Sequence, residues 1–252
     1  MSLMCSISDA ESNQLTMALI KAVNDAIASG KDEPDIVARL TENIPSQCKL
    51  VKKIGSYDVS VGGVFIHQTP KVHFDGMKKN SIELGDLLLI STVKKLSGEI
   101  TRKALLLQAK IITKLPVIDT GNDDQHELYR DWPVFEYVRS SPSLNGKTRC
   151  ITGFDLYPAA KYLLFSKPLN PSGGWPHWIH SRVVHANALT AYPTDKLSSY
   201  ECFVKELHDF VLSEKGKSFE LLENSEYTYL NELHETAIEC SPTVAKAFFS
   251  FY

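Results

Sequence analysis

The chain has 252 residues, 43% hydrophobic and 23% charged, with 13 Gly, 12 Pro and a formal net charge of −3. This size and balance suit one sizeable core and exclude a disordered, fibrous or uniformly basic nucleic-acid-binding chain. No run approaches the roughly 20 apolar residues of a membrane-spanning helix, and the first residues lack the basic-then-apolar pattern of a secretory signal. The five cysteines (5, 48, 150, 202 and 240) are odd in number and scattered. They point to free thiols in a reducing cytoplasm, not to a disulfide framework.

Taken in chain order, residues 8–29 carry Leu15, Leu19, Val23 and Ile27 at helical spacing, with Ala18, Ala22 and Ala26 beside them. Ser29-Gly30 closes that helix. A second helix is expected from Pro34, capped by Asp32, through Ile36, Val37, Leu40 and Ile44, and broken at Pro45. Strands follow: a short piece over 49–54, a longer one over 57–67 with Gly62-Gly63 as a bulge, and another over 72–74. Two apolar runs, 86–93 and 103–112, are joined by Lys94-Lys95-Leu96-Ser97-Gly98-Glu99 as a hairpin. Their near-continuous Leu and Ile predict burial on both faces.

Residues 123–138 read as a helix interrupted at Trp132-Pro133, 139–150 as a polar loop and 161–166 as a further buried strand. The segment 168–193 reads as loop, followed by helical patterns over 199–214, 227–239 and 242–249. The expected fold class is α/β, a central mixed β-sheet flanked by helices. The expected division is a core over 1–166 and a C-terminal loop and helical extension over 167–252, packed together as one domain. The closing run Phe248-Phe249-Ser250-Phe251-Tyr252 is expected to bury against the body or a partner, either a second copy in a homodimer or another protein.

Charge is spread unevenly. Between 45 and 116 there are 12 Lys and Arg against 5 Asp and Glu. Lys52-Lys53, Lys78-Lys79, Lys94-Lys95 and Arg102-Lys103 are the clusters, and they are candidates for phosphate contacts in DNA. Solvated hairpin ends are the plainer reading of each pair.

Three short pieces carry the chemistry. Asp86 heads Leu87-Leu88-Leu89-Ile90, where a buried carboxylate is costly unless it is paired or bound to a metal. Gln108-Ala109-Lys110 ends Leu105-Leu106-Leu107, and in a strand Gln108 and Lys110 share one face. Gln125 and Tyr129 share a helical face four residues apart. Metal-dependent phosphodiester cleavage needs oxygen ligands for a hard cation and a group that orients water. Asp86, the Gln108 amide oxygen and Lys110 are of those types.

This pattern resembles that of the PD-(D/E)xK nuclease superfamily. The Gln108-Ala109-Lys110 form is similar to that of the Mrr-type restriction endonucleases, and Gln125-x-x-x-Tyr129 resembles a motif of the RecB-like branch. The order helix, three strands, helix, strand, over 8–29, 57–67, 86–93, 103–112, 123–138 and 161–166, is similar to the superfamily's core, so the resemblance covers about 8–166. It implies a restriction-endonuclease-like core and Mg²⁺- or Mn²⁺-dependent hydrolysis of DNA, in restriction, phage defence or repair. It implies Asp86, Gln108 and an upstream acid as metal ligands, with Lys110 orienting the attacking water. Gln125 and Tyr129 then support Lys110 or touch the substrate phosphate. Glu11 is the expected upstream acid because it continues the Leu15/Leu19/Val23 stripe, with Glu42 and Glu83 as rivals. Glu83, three residues before Asp86, would point to the opposite face of an unbroken strand. Glutamine at 108 keeps an alternative open: an inactive nuclease-fold module that binds nucleic acid or a protein partner.

Other signals are weaker. His177-Trp178-Ile179-His180 with His185 invites a zinc reading, but no cysteine or acid stands at matching spacing. His67 and His73 flank Thr69-Pro70 and are placed either to line a cleft or as ordinary strand histidines. No phosphate-binding Gly-x-x-x-x-Gly-Lys loop, dinucleotide Gly-x-Gly-x-x-Gly turn or Gly-x-Ser-x-Gly elbow occurs.

Overall fold

The structure, a computed structural model, describes residues 7–51, 53–112, 121–142, 144–151, 159–166, 188–194, 197 and 200–219. Its first elements are α1 (Asp9–Ser29), α2 (Glu33–Lys49), β1 (Lys53–Ile54), β2 (Tyr57–Phe65), β3 (Lys71–Phe74), β4 (Ile82–Glu83), β5 (Leu87–Lys95) and β6 (Ile100–Ile112). There follow α3 (Asp123–Asp131), β7 (Phe135–Arg139), β8 (Thr148–Arg149), β9 (Ala160–Ser166), β10 (Ala188–Ala191), β11 (Tyr200–Cys202), α4 (Phe203–Val211) and β12 (Lys217–Ser218).

The fold is α/β with a mixed central sheet. Its strand order is β1-β2-β5-β6-β9-β10-β11, and β12 pairs with β6. Neighbours are antiparallel except β6 and β9, which run parallel and therefore need a crossover, here made through α3. Two insertions, one between β2 and β5 and one between α3 and β9, form a second antiparallel sheet in the order β4-β3-β7-β8.

Alternation along β5 and β6 sorts the core into two. Leu87, Leu89, Leu105 and Leu107 pack with α1, α2 and α4. Leu88, Ile90 and Leu106 pack with α3 and the second sheet. The apolar runs are thus buried on both faces, as their continuous Leu and Ile predict.

Local chemistry explains most boundaries. A capping box starts α1: the Glu11 N–H donates to the Ser8 hydroxyl at 3.3 Å, and the Ser8 N–H donates to Glu11 Oε2 at 3.0 Å. Asp32 caps α2 by accepting from the Asp35 N–H at 3.0 Å. That helix does not end at Pro45 but runs through it to Lys49. Ile44 and Cys48, both buried in the helical-side core, flank the proline and hold the last turn in place.

Gly62-Gly63 is not a bulge, since the register Gly62↔Ile90, Gly63↔Leu89 is unbroken. Gly63 serves a close approach instead: a Cβ there would lie 2.7 Å from the Thr41 carbonyl oxygen of α2. Of the described residues in 49–54, Lys53–Ile54 form strand while 49–51 close α2 and turn. Residues 133–138 are not helix. Trp132 takes a left-handed φ of 45° after α3, and β7 then turns Phe135 and Tyr137 into the core.

Beyond 166, β10, β11 and β12 add to the central sheet and α4 to the helical layer. The strand β10 lies inside the expected loop, and 199–214 divides into β11 and α4. Phe203, Leu207 and Phe210 of α4 join the α1/α2 core. On this face Lys161, fully buried, pairs with Glu206 at 2.7 Å, and Lys215 reaches Glu206 at 3.0 Å and Glu201 more closely still. The helical patterns over 227–239 and 242–249, the terminal aromatic run and His177, His180 and His185 lie outside the described residues. Cys48, Cys150 and Cys202 are free thiols. No helix among the described residues is long and apolar enough to cross a membrane.

Candidate metal centre

One end of the central sheet gathers the candidate chemistry. There β2 runs out through Ile66 to His67, β5 begins after Asp86, and β6 overruns its pairing with β5, which ends at Leu87↔Leu107. The ladder is carried one step further by Ile66 N–H to the Asp86 carbonyl, 3.0 Å, and Asp86 N–H to the Leu107 carbonyl, 2.9 Å. Beyond it, the β6 edge is capped by side chains. Asp86 Oδ2 accepts from the Ala109 N–H at 2.8 Å, and Glu33 Oε2 accepts from the Ile111 N–H at 2.9 Å. Those donors are two residues apart, about 7 Å along the strand. Two acids from different elements therefore stand side by side on one strand edge.

Asp86 is 1% exposed, a burial that a carboxylate tolerates only with partners. Besides Ala109 it accepts from the Gln108 amide, and its Oδ1 lies 2.9 Å from His67 Nδ1. A carboxylate only accepts, so Gln108 turns its NH₂ to Asp86 and leaves its oxygen for Gln125, whose NH₂ donates to it. The oxygen expected to face a metal thus accepts from Gln125 here. The Gln108 NH₂ holds Asp86 in place.

Gln125 and Tyr129 do related work. Gln125 Nε2 also donates to the Glu83 carbonyl at 3.1 Å, and the Tyr129 hydroxyl donates to the Leu84 carbonyl at 2.7 Å. Together they fasten the crossover from β4 to β5. Gly85 permits this closeness, because a Cβ there would lie 2.9 Å from the Tyr129 hydroxyl and 2.7 Å from Leu106 Cδ1. The crossover also undoes the parity argument about Glu83. Glu83 belongs to β4 of the second sheet and Asp86 stands just before β5 of the central one, and Glu83 Oε2 comes within 3.4 Å of His67 Nδ1. One ligand atom each from His67, Glu83 and Asp86 lie within 4.8 Å of one another.

Glu11, the expected upstream acid, is not brought to this cluster. One of its oxygens is held by Ser8 and the other by the Gly55 N–H at 2.7 Å, which together hold its carboxyl down at about 2. Glu42 is exposed on α2. The acid that the helical layer brings to this end is Glu33, in the first turn of α2. Burial raises its carboxyl above the ordinary value and the charge of Asp86 adds to this, while the Ile111 N–H, Lys110 and His67 oppose it. Asp32-Glu33-Pro34 announces a helix start, but not which strand that start meets.

His67 holds its proton above the ordinary histidine value, chiefly through its hydrogen bond to Asp86, with Glu83 and Glu33 adding to the effect against burial. Lys110 is half-buried, shares the strand face of Gln108, and is close enough to Glu33 to stabilise its charge. His73 turns its ring to the Asn80 carbonyl at 3.2 Å, away from this cluster.

The basic candidates lie elsewhere. Lys94, Lys95, Arg102 and Lys103 lie toward the turn end of the β5–β6 hairpin, Lys103 opposite Ser91 and Arg102 opposite Thr92, about 17–30 Å along β5 from Asp86. Lys95 pairs with Glu99 at 2.5 Å, and Lys103 donates to the Gly216 carbonyl at 3.3 Å. Lys53 belongs to β1, which pairs with β2 at that same distant end, and Lys52 is outside the described residues. Lys78 pairs with Asp123 at 2.7 Å, and the Lys78 and Lys79 N–H groups both bind the buried Asp124 at 2.9 Å. Compared with protein-family models, curated proteins and solved structures, the chain matches none.

Proposed function

We propose that this chain is a divalent-metal-dependent nuclease that hydrolyses DNA phosphodiesters, resembling the PD-(D/E)xK superfamily. The observation that carries the reading is the convergence of His67, Glu83 and Asp86 within 4.8 Å at the sheet end where Lys110 and Glu33 also stand. The order α1, β2, β5, β6, α3, β9 supports it, being the helix, three strands, helix and strand expected over 8–166, while the helix that reaches the site is α2.

The residues fit a cation. One imidazole and two carboxylates form a mixed N/O donor set, and the imidazole tilts the choice from Mg²⁺ toward Mn²⁺. His67, Glu83 and Asp86 would hold the ion, which when bound supplies Lewis-acid stabilisation of charge on a phosphoryl oxygen and a more acidic water. Lys110 brings a cation on the Gln108 face of β6, suited to orienting water and a phosphate oxygen. Gln108 fixes Asp86, while Gln125 and Tyr129 fix the 83–85 crossover that carries Glu83.

The test is cleavage of labelled single- and double-stranded DNA with Mg²⁺ or Mn²⁺, comparing wild type with Asp86→Ala and Lys110→Ala. Cleavage by wild type and by neither variant is the expected result, and cleavage that survives both substitutions refutes the site. One observation favours the alternative, a non-catalytic module: Asp86 already accepts from Gln108, Ala109 and His67 without a cation. That reading gains if DNA binds in a salt-sensitive way and is never cut.

A further inference from the structure

We infer that the second sheet carries a phosphate-binding rail beside the metal centre, formed by Lys71 and Arg139, for the backbone of the nucleic acid entering the site. The inference rests on the nuclease reading. Its basis is register: Lys71 of β3 stands opposite Glu83 of β4 on one side and opposite Arg139 of β7 on the other. Glu83, Lys71 and Arg139 thus form one row across three strands, spanning about 10 Å. Its first member is already at the cluster, 3.4 Å from His67.

The row faces outward. Val72 and Phe74 of β3, Ile82 of β4 and Phe135 and Tyr137 of β7 are buried and line the core under the sheet, so the alternates Lys71 and Glu83 point away from it. Arg139 owes its direction to an irregularity. In a regular strand it would follow Tyr137 inward, but the register shifts between Lys71 and Val72, and the extra residue, Val138, returns Arg139 to the outer row, where it is exposed. A bulge that turns one arginine from the core into line with a lysine and a metal-site carboxylate suits recognition of a polyanion. Arginine takes a phosphate in a bidentate way, and lysine adds a point charge. A sugar–phosphate backbone laid across β4, β3 and β7 would meet both cations in line with Glu83. The Lys94/Arg102 end of the sheet cannot offer this at its distance from Asp86.

The experiment uses the full chain and short fluorescein-labelled DNA, single-stranded and duplex, with Ca²⁺ for binding and Mn²⁺ for cleavage. Affinity is measured against KCl concentration for wild type, for Lys71→Gln/Arg139→Gln, for Arg139→Glu alone, and for Lys21→Gln/Lys49→Gln on the helical face as a charge-matched control. Loss of two phosphate contacts should make the log–log salt slope shallower by about 1.4–1.8 and weaken binding on the order of tenfold, with the control unchanged. Arg139→Glu, at an exposed position, should weaken binding without lowering the melting temperature. If wild type cleaves and the double variant binds with the control's affinity and slope, the rail is wrong and the nuclease reading stands. If wild type neither binds nor cleaves DNA with any of the metals, both fall.

Discussion

Two clusters of ionisable residues sit on the central sheet, one under the helical layer and one at a sheet end, and they differ in how their charge is balanced. On the helical face Lys161, Lys205 and Lys215 meet Glu201, Glu206 and Asp209, cation for acid, around the buried 2.7 Å pair Lys161–Glu206. At the sheet end Glu33, Glu83 and Asp86 face, among the described residues, His67 and Lys110. A buried set that is internally neutral has no need of anything from outside and specifies packing. One with surplus acid is poised for a cation. Burial alone would not have separated them, since Asp86 and Glu206 are both nearly inaccessible.

The sharpest break in that contrast comes from Lys161→Met. It leaves Glu206 deep in the core with Lys215 alone, and should cost about 3–5 kcal/mol in urea unfolding while sparing the thermal shift given by Mn²⁺. Asp86→Asn should do the reverse, abolishing the Mn²⁺ shift for a small change in metal-free stability. If the two variants behaved alike, both clusters would be structural. Next in size is Gly85→Ala, whose methyl must displace Leu106 or the Tyr129 hydroxyl. A loss of about 1–3 kcal/mol is expected, together with weaker Mn²⁺ binding by calorimetry.

Gln125→Ala frees both the Gln108 amide and the Glu83 carbonyl. Mn²⁺ affinity should fall about 10–100-fold with the fold intact by circular dichroism.

A pH series gives a smaller effect with opposite signs in the two states. The raised pKa of His67 adds stability to the metal-free protein that is fully present below the unfolded value near 6.5 and lost as pH rises through the folded value. Glu33, also raised, acts in the same sense at lower pH. Metal binding requires neutral His67, so the Mn²⁺ shift should grow as pH rises through that range. His67→Asn should flatten both trends in thermal melts. Smallest is Tyr129→Phe, which removes one hydrogen bond to Leu84 and should cost about 1 kcal/mol.

The sequence is legible where the information is local. The stripe of α1, the Asp32 cap, the two buried hairpin strands and the proximity of Asp86 to Gln108 all follow from period, capping and pairing. It misleads where a local rule is overridden. Pro45 sits inside α2 because Ile44 and Cys48 are buried on either side of it. Gly62-Gly63 lies flat because α2 packs on it. The helical pattern of 123–138 gives way to β7 after Trp132 turns the chain.

The same division holds at the candidate site. Periodicity and residue chemistry by themselves determined an α/β core, with Asp86, Gln108, Lys110, Gln125 and Tyr129 clustered near one end of a hairpin. Only the tertiary structure decided that Glu33 stands there and Glu11 does not, that Glu83 crosses from a second sheet to reach His67, and that Gln108 faces inward as a donor. The reason is physical. Helical and strand periods report which side of an element is buried, whereas a metal centre depends on which ends of distant elements meet, and long-range packing sets that.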